Sequence, residues 1–134
     1  MKRILSLVLV LLFAACSLTG CTKYVSHYYT IGHVCSNTSE SARTSFMEFE
    51  GSEVFKLKCK NGETAEIQYS GKLESGGLTA YYDCGGGKTE LFSIRSGEEI
   101  SAYSERLSAK TVYVIIETSE KCKNGDFRFE IRYE

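Results

Sequence analysis

The chain has 134 residues, a formal net charge of −1, 43% hydrophobic and 12% aromatic residues, and neither Trp nor Pro. That length suits one domain and is far too short for a two-lobed transporter substrate-binding protein; the charge balance leaves no basic patch for nucleic acid or anionic lipid. Nine Tyr and seven Phe can build a core, and six Cys offer crosslinks that a domain this small would benefit from.

The chain opens with Met1-Lys2-Arg3, then a nearly unbroken apolar run from Ile4 to Phe13, then small residues and two cysteines, Cys16 and Cys21. This is the order of a secretory signal: charged start, apolar middle, small-residue cleavage zone. The run is too short for a retained spanning helix, which needs about 20 apolar residues. Leu18-Thr19-Gly20-Cys21 resembles the lipobox of bacterial lipoproteins. The resemblance implies diacylglycerol on the Cys21 thiol, cleavage just before it, and further acylation, palmitate being a typical chain. Phe13-Ala14-Ala15-Cys16 is a poorer second match, and an ordinary signal peptide cut near Ala15 or Gly20 is the plain alternative. Parity favours Cys21, because cutting there leaves Cys35, Cys59, Cys84 and Cys122 as an even set. Two acyl chains suffice for stable attachment where one does not. The expected layout is a signal peptide over residues 1–20, a tether over 21–42 and a β-sandwich over 43–134. The expected location is the cell membrane or outer envelope, lipid-anchored, with the domain outside the cytoplasm.

Thr22 to Glu40 shows no sustained period and reads as tether. It carries Tyr24, His27, Tyr28, Tyr29 and His33. His27 and His33 are candidate metal ligands, and Tyr28 with Tyr29 a candidate sugar platform. Two isolated histidines fall short of a ligand set, so no metal and no cofactor is expected, and the segment reads as a linker that partly packs on the domain. Asn37-Thr38-Ser39 matches the N-glycosylation pattern, which means nothing by itself in a bacterial lipoprotein.

From Arg43 the pattern is β. Phe46, Met47 and Phe49 fall in a first strand, ended by Glu50-Gly51-Ser52. Val54 to Lys60 alternates, with Phe55, Leu57 and Cys59 on one face and Lys56 and Lys58 on the other. Asn61-Gly62 is a strong hairpin signal, and Ala65, Ile67 and Tyr69 continue the alternation as the return strand. Gly71 to Gly77 reads as a loop. Leu78 to Asp83 and Thr89 to Ile94 form strands joined by the turn Cys84-Gly85-Gly86-Gly87. Arg95 to Lys110 is the least regular stretch, with a short strand over Glu98 to Ala102 and a turn or helical fragment over Tyr103 to Leu107. Thr111 to Thr118 is contiguously apolar at its centre and reads as a central strand covered on both faces. Phe127 to Tyr133 alternates again, with Phe127, Phe129, Ile131 and Tyr133 inward.

The fold expectation is all-β: a small antiparallel sandwich, jelly-roll-like, of about seven or eight strands. Gly77-Leu78 into Tyr82-Asp83, the glycine-rich turn, Leu91-Phe92, the run Thr111 to Ile116 and Gly125-Asp126-Phe127 resemble the jelly-roll domains of the pre-peptidase C-terminal type. That resemblance spans about residues 51–133 and implies the fold only. Cysteines in the turns depart from it. Lys58-Cys59-Lys60-Asn61-Gly62-Glu63 is echoed by Lys121-Cys122-Lys123-Asn124-Gly125-Asp126, each setting a cysteine before an Asn-Gly turn. In an exported protein Cys35, Cys59, Cys84 and Cys122 are disulfide candidates with three possible connectivities. A disulfide between turns would fasten one end of the sandwich.

Catalytic signals are poor. Gly87-Lys88-Thr89 mimics the end of a phosphate-binding loop, but its first glycine position is occupied by Tyr82 and a strand follows instead of a helix. Glu98, Glu99 and Glu117 are the acids from which a small hydrolase would draw a carboxylate pair. A Ser or Cys nucleophile lacks a histidine outside the tether. The expectation is therefore a non-enzymatic, membrane-anchored lipoprotein whose sandwich binds a surface glycan or protein or has an envelope-structural role, the alternative being a small hydrolase. Tyr81, Tyr103 and Tyr113 on one exposed face would favour glycan.

Overall fold

The computed structural model describes residues 24–60 and 63–133. Met1 to Cys21, and with them the signal and lipobox, lie outside the described residues, as do Asn61 and Gly62. The described residues hold seven strands and no helix: β1 (His27–Ile31), β2 (Val34–Asn37), β3 (Ser41–Lys58), β4 (Ala65–Asp83), β5 (Thr89–Arg95), β6 (Glu99–Tyr103) and β7 (Thr111–Tyr133). The sheet is antiparallel throughout, in the order β1-β3-β7-β4-β5, with β2 also on β3 and β6 also on β4.

One ladder makes both layers of the sandwich because its three long strands bend. β7 pairs with β3 from Ser41↔Glu130 to Lys58↔Thr111, and with β4 from Ala65↔Tyr133 to Asp83↔Tyr113. The register slips in β3 between Phe49 and Ser52 and in β4 between Ser75 and Leu78. Such slips bend a strand and sharpen its twist. Each slip holds a glycine at positive φ, Gly51 at 127° and Gly76 at 106°. A Cβ at Gly51 would stand 2.3 Å from the His27 carbonyl oxygen, and one at Gly76 would stand 2.6 Å from that of Lys121, so only glycine lets the strands fold this closely. Residues 41–49, 122–130 and 65–75, with β2 and β6, form one layer. Residues 52–58, 111–118 and 77–83, with β5, form the other, and β1 runs along the bend of β3.

Phenylalanines fill the space between the layers. Phe92 of β5 stacks against Tyr69, Phe127 and Phe129 of the opposite layer, at centroid distances of 5.0, 6.1 and 6.2 Å, and Phe55 reaches Phe129 at 6.3 Å. Phe46 lies 5.1 Å from Phe49 and 6.2 Å from Phe127. Each such pair adds about 0.5–1.5 kcal/mol beyond its buried area. Leu57, Ile67, Val112, Val114 and Ile116 complete the core, so the alternations in β3 and β4, the β4–β5 hairpin, the central place of β7 and the inward phenylalanines of its last turn agree with the sequence.

Other expectations change. Residues 54–58 and 65–69 are not a hairpin, because β7 lies between β3 and β4 and takes up the ladder of both. The Glu63 amide donates to the Lys60 carbonyl at 3.3 Å, and the connection leads from β3 to a strand that is not its neighbour. Glu50-Gly51-Ser52 bends a continuous strand instead of ending it, and Gly71 to Gly77 is part of β4, paired to β7. Asn124-Gly125 is inside β7. Asn124, at φ 48°, hydrogen-bonds the Glu74 carboxylate, and Gly125 lies beneath the Phe46 ring. The expected tether contributes β1 and β2, and β3 begins at Ser41. Residues 103–107 form no helix.

The core geometry sets two outcomes. Phe127→Ala, at a fully buried ring between those of Phe46 and Phe92, should lower unfolding free energy by about 3–5 kcal/mol, read from urea denaturation. Burial, then the Glu105 carboxylate that accepts from its hydroxyl, pushes the Tyr82 phenol up to about 12, and burial pushes the Cys122 thiol up to about 11. The folded state thus holds both protons more tightly than the unfolded chain, whose ordinary values are 10.0 and 9.0. Their stabilisation is complete below pH 9 and is lost as pH rises toward 12, so the urea midpoint should fall steadily through that window. Tyr82→Phe should flatten the upper part of the fall.

Candidate functional site

β1 and β2 are two stretches of one edge. β1 runs beside residues 48–52 of β3 and β2 beside residues 42–45, with Gly32 and His33 between them out of the ladder. Because β3 passes from one layer to the other along this stretch, the edge lies across the open seam of the sandwich. Val25, Tyr28, Tyr29, Ile31 and Val34, with Met47 opposite on β3, are exposed large hydrophobic side chains, Tyr29 at 62% and Val34 at 68%. Exposed apolar residues scattered singly are ordinary, whereas a cluster beside an unpaired strand edge marks an interaction surface.

At the seam His33 turns inward. Its Nε2 lies 2.9 Å from Glu53 Oε2, on one layer, and 3.1 Å from Thr44 Oγ1, on the other. The Tyr28 ring meets the imidazole edge-on at 5.1 Å and Phe49 at 5.2 Å. Cys35 Sγ, a His33 ring nitrogen and a Glu53 carboxylate oxygen all lie within 4.8 Å of one another. Glu53 is only 3% exposed, and its Oε1 is buried with no hydrogen-bond partner. Leaving such an atom unpaired costs about 1–3 kcal/mol, more for a charged group. Burial, then the Glu53 charge, pushes the Cys35 thiol up, and burial, Glu53 and Cys35 push the Tyr28 phenol up.

A second polar constellation lies on the outside of the layer that carries β5. Tyr81 and Tyr113 point outward between the buried neighbours Ala80, Tyr82, Val112 and Val114. Both rings are covered. Tyr24 packs on Tyr113 at 5.7 Å and donates its hydroxyl to Asp83 Oδ2 at 2.5 Å. Lys88 Nζ stands 4.4 Å over Tyr81 and 2.9 Å from Glu117 Oε1. The Glu117 hydrogen bond holds Lys88 above its ordinary value, against the opposing effect of burial. Asp83, fully buried, accepts from the amides of Gly85 at 2.7 Å and Gly87 at 3.3 Å. The amides of the phosphate-loop mimic therefore already bind this chain's own carboxylate, which would repel a phosphate.

The residues singled out in the sequence are distributed unevenly. His33 joins a cluster, whereas His27 pairs opposite Ser52 and does not enter it. Tyr81 and Tyr113 share a face, but Tyr103 is on β6, in the other layer. Glu99 is opposite Lys72 and Glu117 opposite Thr79, again on different layers, and Glu98 accepts from the Arg95 amide at 2.9 Å. Glu117 is therefore not paired with Glu99. Cys35, Cys59, Cys84 and Cys122 are all free thiols, which corrects the disulfide expectation. Cys122 is opposite Phe49, while Cys59 follows the far end of β3, beyond the bend and in the other layer. Cys21 is outside the described residues. Glu53, Thr44 and the role of Cys35 were missed. Glu53 was legible as the one acid on the inward parity of Phe55 and Leu57, and His33 and Cys35, two apart, have the spacing that shares a strand face.

No family model matches the chain, and no curated protein matches it. Among solved structures, it is similar to the pre-peptidase C-terminal domain of collagenase from Bacillus anthracis: 12% identity, 72% of this chain and 91% of that one covered, TM-score 0.48. It is similar to a chain described as CBM4, with 8% identity, 87% and 93% covered and a TM-score of 0.42. It is also similar to the CBM22-1 xylan-binding domain of Paenibacillus barcinonensis Xyn10C, with 15% identity, 85% and 88% covered and a TM-score of 0.39. These likenesses assign no ligand to this chain.

Thiol chemistry checks the placement of the cysteines. Exposed Cys35 and Cys84 should react with a thiol reagent in the native protein, and buried Cys59 and Cys122 only in denaturant, located by peptide mass mapping. Cys59 and Cys122 linked to each other in the unreduced protein would contradict the strand register.

Proposed function

We propose that this chain is a membrane-anchored lipoprotein whose extracytoplasmic β-sandwich binds a protein partner, and that it carries no catalytic centre. The observation that supports the binding surface is the apolar edge: Val25, Tyr28, Tyr29, Ile31, Val34 and Met47 are exposed together along β1, β2 and the adjoining part of β3. An extended segment of a partner can add as a strand there, its backbone pairing with β1 and β2 and its side chains meeting the exposed apolar groups. The lipobox resemblance at Cys21 supports the anchor, and it sits only a few residues before this edge, which keeps the partner surface close to the membrane. A glycan is the less favoured ligand, because Tyr24 and Lys88 occupy the ring faces on which a sugar would stack. The separation of Glu99 from Glu117 supports the absence of a carboxylate-pair hydrolase.

Site-specific photocrosslinking in intact cells tests this reading. A crosslinking residue at Tyr29 or Val34 should trap a discrete protein band, and one at Tyr103 on β6, at the opposite edge of the layer that β2 joins, should not. Val34→Glu should weaken the band from the Tyr29 position at least about tenfold, and Cys21→Ala should release the protein from the membrane fraction. Crosslinks from the edge to lipid alone, or equal trapping from Tyr103, would overturn the binding surface; continued membrane retention of Cys21→Ala would overturn the anchor.

A further inference from the structure

We infer that His33, Cys35 and Glu53 form a binding site for a borderline divalent cation of the Zn2+ class, independently of what docks on the edge. Donors from two segments converge: the imidazole nitrogen of His33 and the sulfur of Cys35 from the edge, and the Glu53 carboxylate oxygen from β3, within 4.8 Å of one another. A tetrahedral zinc site takes nitrogen at about 2.0–2.1 Å, carboxylate oxygen at about 2.0–2.2 Å and sulfur at about 2.3 Å, which spaces its donors by roughly 3–4 Å. Small side-chain shifts bring the observed cluster to that spacing.

The second observation is Glu53 Oε1. It belongs to a buried side chain, and the same carboxylate already binds His33 through its other oxygen, yet Oε1 meets no hydrogen-bond donor. A buried carboxylate with one unanswered oxygen beside an imidazole and a thiol is a donor set short of a cation. Mixed nitrogen, sulfur and oxygen donors favour zinc over calcium or magnesium, which prefer oxygen alone, and over copper(I), which prefers soft ligands. Three protein ligands leave a fourth position open to water or another donor. On binding, the Cys35 thiol proton passes to solvent and the thiolate coordinates the ion. The geometric consequence is a clasp: His33 and Cys35 are on the edge segment and Glu53 is on β3, so one ion ties the edge to the body of the sandwich.

The test uses the full chain in detergent, reduced and stripped of metal, titrated with Zn2+ alone against a chromophoric chelator and, separately, with Co2+. One Zn2+ per chain should bind, and Co2+ should give a thiolate charge-transfer band with the visible bands of a tetrahedral site. Cys35→Ser should abolish that charge-transfer band, and Cys35→Ser or His33→Gln should weaken Zn2+ binding by more than about 100-fold, beyond the 10–100-fold expected of an outer-shell partner. Cys84→Ser should bind as the parent does. Amide exchange over residues 27–37 should slow with Zn2+ in the parent and not in Cys35→Ser. Because Cys35 is exposed, its serine variant should fold even if Glu53→Gln does not. Unchanged Zn2+ affinity in Cys35→Ser and His33→Gln, a Co2+ spectrum without a thiolate band, or loss of binding in Cys84→Ser would overturn the site.

Discussion

β7 holds this fold together. It pairs along almost its whole length with β3 on one side and β4 on the other, so the two layers of the sandwich are continuations of the same three strands. Two layers joined in this way must turn at the same level, and the bends at Gly51 and Gly76 place β3 and β4 in step with it. Once the strands turn, the stacked rings of Phe92, Phe127, Phe129 and Tyr69 close the space between the layers. The ladder and the aromatic core support each other: the backbone hydrogen bonds aim the rings, and burial of the rings keeps the bend closed.

The same bend creates the features that stand out chemically. An edge strand following β3 around its turn cannot stay in register throughout, and the ladder lapses at Gly32 and His33. That lapse frees an imidazole to enter the seam, where Thr44 from one layer and Glu53 from the other meet it. A carboxylate this deep is tolerated only where partners offset its desolvation. Its neighbours answer one of its two oxygens, and the exposed apolar side chains lie along the same edge. The unpaired edge and the partly satisfied acid thus arise from one structural event, the passage of β3 between layers.

The outer face of the other layer shows how position changes the meaning of a motif. Tyr81 and Tyr113 do share that face, but Lys88 and Tyr24 cover their rings, and the glycine-rich turn beside them wraps around the Asp83 carboxylate. Amides that would cradle a phosphate in another setting are satisfied here by a buried acid of the same chain. The turn therefore joins β4 to β5 and offers no anion site of its own.

The class of fold was legible in the residues alone, because a period of two survives any arrangement of strands: the alternations in residues 54–59, 65–69 and 127–133 place the same side chains inside whatever pairs with what. So were the β4–β5 hairpin, a local structure set by a glycine-rich turn, and the central burial of residues 112–116. Which strand pairs with which came from long-range packing. Asn61-Gly62 promised a hairpin, yet the long apolar β7 can satisfy β3 and β4 together, and burial between layers outweighs a turn's preference worth about a kilocalorie. Glycines at Gly51, in residues 71–77 and at Gly125 read as loops because local composition does not reveal whether a glycine ends a strand or lets it bend under a facing ring. The meeting of Glu53 with His33 and Cys35 was beyond local reading for the same reason: two segments apart in sequence are brought together by strand register, and register depends on long-range burial that no short window contains.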